Sequence, residues 1–233
     1  MTELTPALLA GLQSIDTPTA CNALEVLVPS RRGYGYTVES LVCTRPELKP
    51  MVGLARTATI RSVHPSDLPR DEALALLDAY YTYVDDGPKP SVIVMSDIDE
   101  HKGYGSFWGE VNSAIHAGFG CVGLVTDGAV RDLPDIAPGF QMLAGRVVPS
   151  HAFVHLVDFS RPVTVAGMRV RDGDLIHADQ HGAVVIPLDV VGQVLETAEH
   201  IRRREQVTIE AARQPGFSLE QLRAARKRGT EIH

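Results

Sequence analysis

At 233 residues, 44% of them apolar and 22% charged, the chain has the composition of a folded globular protein and the length for a substantial core, which excludes the disordered and fibrous classes. Its formal net charge of −7 speaks against a nucleic-acid binder, because such domains carry a basic face to neutralise phosphates. No apolar run approaches the roughly 18 residues of a membrane span.

In chain order, MTELTPALLAGLQSIDTP lacks the basic start and apolar core of a signal peptide. Residues 4–28 read as two helices, the second capped by Thr17 with Pro18 at an early helical position. PSRRGYGYTVESLVCTRPELKP, punctuated by Gly and Pro, reads as a wrap over the surface. LARTATIRSV (54–63) alternates like a half-buried strand, SDLPRDEALALLDAYYTYV (66–84) has helical spacing, and SVIVMSD (91–97) reads as a buried strand. A polar, Gly-containing loop then leads to a helix at about 108–117, ended by Gly118 as its C-cap, after which CVGLVTD opens a second buried strand. Strand, loop, helix, strand is the order of a parallel βαβ unit, whose sites lie at the carboxyl ends of the strands.

Segments near 140–148, 162–171, 174–176 and 183–186 are short, β-rich and separated by turns. Helices at about 188–212 and 218–228, divided by Pro215-Gly216, close the chain. Neither repeat nor linker interrupts it, so the economical count is one domain over 1–233, with 188–233 as a helical extension.

Several motifs carry less than they promise. GFGCVG (118–123) matches GxGxxG, but it follows a helix and opens a strand, the reverse of a dinucleotide site, and this also removes support for a methyltransferase. His151 and His155, like His177 and His181, are four apart; the first pair falls on strand or irregular chain and the second on a turn, so both read as surface or structural histidines. Arg202, Arg203 and Arg204, and then Arg223, Arg226, Lys227 and Arg228, read as a solvated helix face or subunit contacts. Three cysteines without CxxC spacing read as reduced thiols in a cytoplasmic protein without structural zinc.

The chemistry concentrates in TDGAVRD, residues 126–132. Asp127-Gly128 is a turn signal at a strand end, which leaves Asp127 a structural role. Arg131 and Asp132 stand beyond it, and the helix at 108–117 starts in the same region, with free amides near Gly109 and a second carboxylate in Glu110. An arginine fork and a helix N-terminus suit a carboxylate; two carboxylates suit a hard cation such as Mg²⁺ or Mn²⁺. A 2-oxo acid would satisfy the whole set, chelating a cation that acts as a Lewis acid on the developing enolate.

FWGEVNSAIHAGFGCVGLVTDGAVRD (107–132), with DTPTACNALE (16–25) and VRDGDLIHADQHGAVVIP (170–187), resembles the RraA-like proteins, which include 4-hydroxy-4-methyl-2-oxoglutarate/4-carboxy-4-hydroxy-2-oxoadipate aldolases. The resemblance implies an α/β fold, an α/β/β sandwich of the swivelling-domain type with C-terminal helices, forming homotrimers or hexamers with sites at subunit interfaces. It implies Asp132 as the direct metal ligand and Glu110 as a ligand through water. Arg131 would bind substrate and stabilise the enolate, the amides of Gly109, Glu110 and Val111 would hold the pyruvyl carboxylate, and Glu205 would enter from a neighbouring subunit.

The expected activity is that of a lyase releasing pyruvate from a 4-hydroxy-2-oxo acid, with oxaloacetate decarboxylation through the same enolate. The alternative is a non-catalytic regulator that binds an RNA-degrading enzyme; neither a nucleic acid nor a membrane is expected as partner. ACNAL stands where S/T-D-A is more usual, and RDLPDIAPGFQMLAGRVVPSHAFVH departs from the usual run after RD. These segments are expected around the distal part of the pocket, so the distal group of the substrate stays open.

Overall fold

The structure, a computed structural model, describes residues 4–232. It opens with α1 (Pro6–Leu12) and α2 (Thr17–Leu27), followed by the surface wrap that holds β1 (Val42–Cys43). Next come β2 (Met51–Arg61), α3 (Arg70–Asp85), β3 (Ser91–Asp97), β4 (Ser106–Trp108), α4 (Glu110–Gly118), β5 (Cys121–Thr126) and β6 (Ala129–Val130). The remaining strands are β7 (Gln141–Ala144), β8 (Arg146–Val147), β9 (His155–Phe159), β10 (Val163–Val165), β11 (Met168–Val170), β12 (Leu175–Asp179) and β13 (Gly182–Ile186). Helices α5 (Val194–Ala212) and α6 (Leu219–Thr230) complete the order, the latter started by a reciprocal capping box between Ser218 and Gln221.

The main sheet runs β1-β7-β5-β3-β2-β12-β13, with β9 also paired to β2, and curls into a half-barrel. Its centre is parallel: β2 pairs with β3, β3 with β5 and β5 with β7. The crossover through α4 therefore builds the expected βαβ unit, and the crossover through α3 adds a second. Alternate residues of β3 feed opposite cores, Val92 and Val94 towards β10 and β11, Ile93 and Met95 towards Tyr80, Val84 and Trp108. Each such side chain, fully buried, contributes about 1.5–3 kcal/mol. A third cluster, with Leu12, Leu24, Leu175, Ile186 and Val194, fastens α1, α2 and α5 onto β12 and β13.

Several local expectations are corrected. Strand β2 is buried along nearly its whole length rather than half-buried, because both its faces are covered: Met51 and Ala55 enter the core with β10 and β11, Ala58 and Ile60 the core with Tyr80 and Val84, and Val52 the core with Leu12 and Leu24. Arg56 is held from afar: its Nη1 lies 3.0 Å from Asp172 Oδ2, and its guanidinium stacks 3.5 Å from the Tyr83 ring centre. The cap of α2 is Asp16, whose Oδ1 accepts from the Thr19 amide at 2.8 Å, while Thr17 Oγ1 is engaged with His177 Nδ1 at 3.0 Å. His177 belongs to β12 rather than to a turn. Helix α4 ends through Phe119, and the left-handed residue that turns the chain is Gly120 (φ 80°), not Gly118. The segment 140–148 splits between two sheets, β7 in the main one and β8 in a three-stranded parallel sheet ordered β4-β6-β8.

Candidate functional site

That small parallel sheet stands beyond the carboxyl ends of β3 and β5, and it brings the two halves of the predicted constellation together. Ser106 pairs with Ala129 and Trp108 with Val130. The ladder continues one step further, where the Arg131 amide donates to the Trp108 carbonyl at 2.9 Å. Gly109 and Arg131 thus leave neighbouring strands side by side.

Asp132 then adopts the left-handed conformation (φ 52°, ψ 41°), which aspartate tolerates better than most residues. Its carbonyl accepts from the Asp135 amide at 2.9 Å, closing a 3₁₀ turn over Leu133–Asp135. The reversal aims the carboxylate back at the start of α4, where Oδ2 accepts from the Glu110 amide at 3.4 Å and lies 3.4 Å from Arg131 Nε. A Cβ on Gly109 would stand 2.5 Å from that oxygen, so only glycine leaves room for the carboxylate in this position. The Arg131 and Asp132 side chains are 29% and 36% exposed, held yet open to a ligand.

Electrostatically, the first turn of α4 presents orphan amides and the positive end of its dipole, Arg131 adds a cation, and Asp132 and Glu110 add two carboxylates. Glu110 is exposed, as is Val111 at 67%. Among the described residues no three His, Cys, Asp or Glu side chains form a metal-holding group, and Glu110 meets the Asp132 carboxylate through its backbone amide. Glu205 is not brought to them: it lies on α5, in a groove that also contains Arg204, Thr208 and Arg226 between α5 and α6.

The scaffold behind the site was not read from the sequence. Ser113 Oγ donates to the Glu110 carbonyl at 2.7 Å and accepts from the Ala137 amide at 3.0 Å, tying the first turn of α4 to the segment after Asp132. His116, on the buried face of α4, contacts the Asn112 carbonyl through Nδ1 at 2.7 Å and the Tyr80 hydroxyl through Nε2 at 2.9 Å. A carbonyl only accepts, so Nδ1 carries the proton and Nε2 receives the Tyr80 O–H. Burial pushes the His116 pKa down to about 4. The neighbouring Trp108 is fully buried, its Nε1–H 3.2 Å from Met95 Sδ.

Asp127 has the structural role expected of it, with different partners. Its Oδ1 accepts from the Asp97 amide at 2.8 Å on the adjacent strand, and its Oδ2 pairs with Lys102 Nζ at 2.5 Å. Burial raises its pKa, against the opposing pull of Lys102 and the Asp97 amide. The turn amide at Gly128 is taken instead by Thr126 Oγ1 at 2.9 Å. An acidic-basic run at a strand end, SDIDEHK, was the available signal for this cluster.

A family model described as RraA-like, Aldolase/RraA, matches residues 17–185, a span that contains every element of the site just described. The chain belongs to the RraA-like family. Among relatives of this RraA-like chain, protein DlpA of Legionella pneumophila is 29% identical over 164 residues, which are 67% of this chain and 25% of DlpA; the match spans about a quarter of that relative. An uncharacterized protein from Pseudomonas syringae pv. tomato superposes with a TM-score of 0.71 at 26% identity, covering 96% of this chain and 95% of its own. RraAS2 of Streptomyces coelicolor, described as an unusual member of the RNase ES inhibitor RraA protein family, superposes with a TM-score of 0.63 at 24% identity, over 88% of this chain and 97% of its own, and shares the fold. No helix among the described residues is long and apolar enough to cross a membrane.

Proposed function

We propose that this RraA-like protein is a divalent-metal-dependent lyase that cleaves a 4-hydroxy-2-oxo acid to pyruvate and a second carbonyl compound. The observation that carries the reading is the Asp132 carboxylate, turned back by a left-handed backbone onto the glycine-lined start of α4 beside Arg131. The space that a Cβ on Gly109 would fill is a cradle for that carboxylate, and oxygen donors on a partly open surface fit a hard cation. Asp132 would hold Mg²⁺ or Mn²⁺ directly and Glu110 through water, and the ion when bound supplies Lewis-acid stabilisation of charge developing on the keto oxygen.

The protein's own groups account for the rest of the chemistry. Arg131 pairs its guanidinium with the substrate carboxylate and stabilises the negative charge that appears when the bond between C3 and C4 breaks. The amides at the start of α4 orient the same carboxylate. In the cleavage the C4 hydroxyl loses its proton and becomes a carbonyl, the electron pair of the broken bond passes into the enolate of pyruvate, and protonation at C3 completes release. Oxaloacetate passes through the same enolate when it loses carbon dioxide, so its decarboxylation is the expected side activity. The site faces outward and lacks a carboxylate from α5, which supports assembly as a homotrimer or hexamer with Glu205 supplied by a neighbouring copy.

Likeness to an RNase-inhibitor family member supports a second reading, a non-catalytic regulator. The deciding experiment measures pyruvate release from oxaloacetate and from 4-hydroxy-2-oxo acids with Mg²⁺ or Mn²⁺, then with EDTA. Release that stops with EDTA and is absent in Asp132→Ala is expected. Full activity in that variant sinks the mechanism, and inactivity on every 2-oxo acid with the assembly intact transfers the assignment to the regulator.

A further inference from the structure

A second concave surface lies at the β13 edge of the main sheet, around the Pro29–Arg31 turn and the separate strand β11. It is an open cleft of about 330 Å³ whose lining includes Arg31, Tyr34, Arg169, Arg171 and Asp174. Three arginines thus face one carboxylate, in a chain whose net charge is −7. That carboxylate is already committed, since Asp174 Oδ2 accepts from the Arg171 amide at 2.7 Å. Among the described residues, none of the ion pairs involves Arg31, Arg169 or Arg171.

The cleft is also pre-shaped. Arg31 Nη2 donates to the Val185 carbonyl at 2.9 Å, which fixes the guanidinium and leaves its remaining donors free. Gly35, in the left-handed region at φ 90°, lies against that guanidinium, where any side chain would collide with it. The Tyr34 ring is centred 5.3 Å from the Arg31 Cζ and is 56% exposed, an apolar wall beside the charge. Arg169, the middle residue of β11, and Arg171, just beyond its end, are two apart, and both are exposed.

We infer that this cleft binds a small phosphate-bearing metabolite, through the guanidinium groups of Arg31, Arg169 and Arg171. One fork satisfies a single carboxylate, whereas a phosphoryl group presents several oxygens and close to two negative charges to more than one fork at once. The ring of Tyr34 offers contact to the organic part of such a ligand. The site is separate from the Arg131–Asp132 constellation, which lies beyond β3 and β5, so its occupation does not depend on the lyase reading.

The test is calorimetric titration of the full chain at low salt with inorganic pyrophosphate, citrate and acetate. Saturable binding of pyrophosphate, with acetate silent and citrate weaker, is expected. Arg31→Gln and the exposed pair Arg169→Gln/Arg171→Gln should each weaken it by about tenfold or more, the loss typical of a charged hydrogen bond, while Arg131→Gln leaves it unchanged. Because Arg31 is anchored to Val185, the exposed pair is the cleaner variant. Absence of saturable pyrophosphate binding, citrate tighter than pyrophosphate, undiminished binding in the exposed pair, or loss of binding in Arg131→Gln would each overturn the inference.

Discussion

Gly109 and Asp132 occupy one another's space: a methyl group on the first would stand 2.5 Å from Oδ2 of the second. Gly109 itself has an extended backbone (φ −168°), so the constraint is steric contact rather than conformational strain. Gly109→Ala should therefore fold normally while displacing the carboxylate. Misplacement by about 1 Å costs up to roughly a hundredfold in rate. Pyruvate release in Gly109→Ala should fall by about tenfold or more, with an unchanged thermal midpoint; wild-type turnover in this variant would remove Asp132 from the chemistry.

Arg131→Lys keeps the charge and loses the planar fork. Loss of a charged hydrogen bond is worth about 1.5–3 kcal/mol, or roughly ten- to a hundredfold in kcat/KM. Steady-state kinetics on oxaloacetate provides the check. A lysine variant equal to wild type would mean that a point charge suffices and that bidentate recognition is not used.

His116 links stability to pH. Its folded-state pKa is about 4, below the ordinary 6.5, so between these values the unfolded chain binds the additional proton. Stability is retained above about 6.5 and falls as pH drops towards 4, by up to about 3 kcal/mol from this group. Urea unfolding at pH 7 and at pH 4.5 should show a larger loss for wild type than for His116→Gln, which keeps a polar side chain without the titration. Equal losses would show that other groups dominate acid unfolding.

Asp127→Ala removes the acceptor of the Asp97 amide and strands a buried N–H, at about 1–3 kcal/mol. Asp127→Asn retains an acceptor there and should lose less. Denaturant midpoints of the two variants separate the hydrogen bond from the ion pair with Lys102. Asn as damaging as Ala would assign the larger share to the ion pair.

The βαβ core was legible because its information is local: two apolar runs flanking a helical period, each ending in a turn. The Arg131–Asp132 pair was legible for the same reason, as charge placed where a strand stops. What escaped depends on partners distant in the chain. Arg56 made β2 look half-buried, yet it is buried against Tyr83 and Asp172, the latter 116 residues away. Asp127 looked like a cap for its own turn, and its acceptor role is exercised on Asp97, across from it on the neighbouring strand. Gly118 and Gly120 compete for one helix end, and only the backbone angles distinguish them.

The contact between Asp132 and Glu110 spans 22 positions, whereas that between Thr17 and Asp179, which holds α2 to β12, spans 162. Closing the longer loop costs about 2 kcal/mol more in chain entropy. The candidate site can therefore assemble early, as a chain-local unit, while the terminal helices are latched on late. A lesion in that latch would release the helices before it disturbed the site.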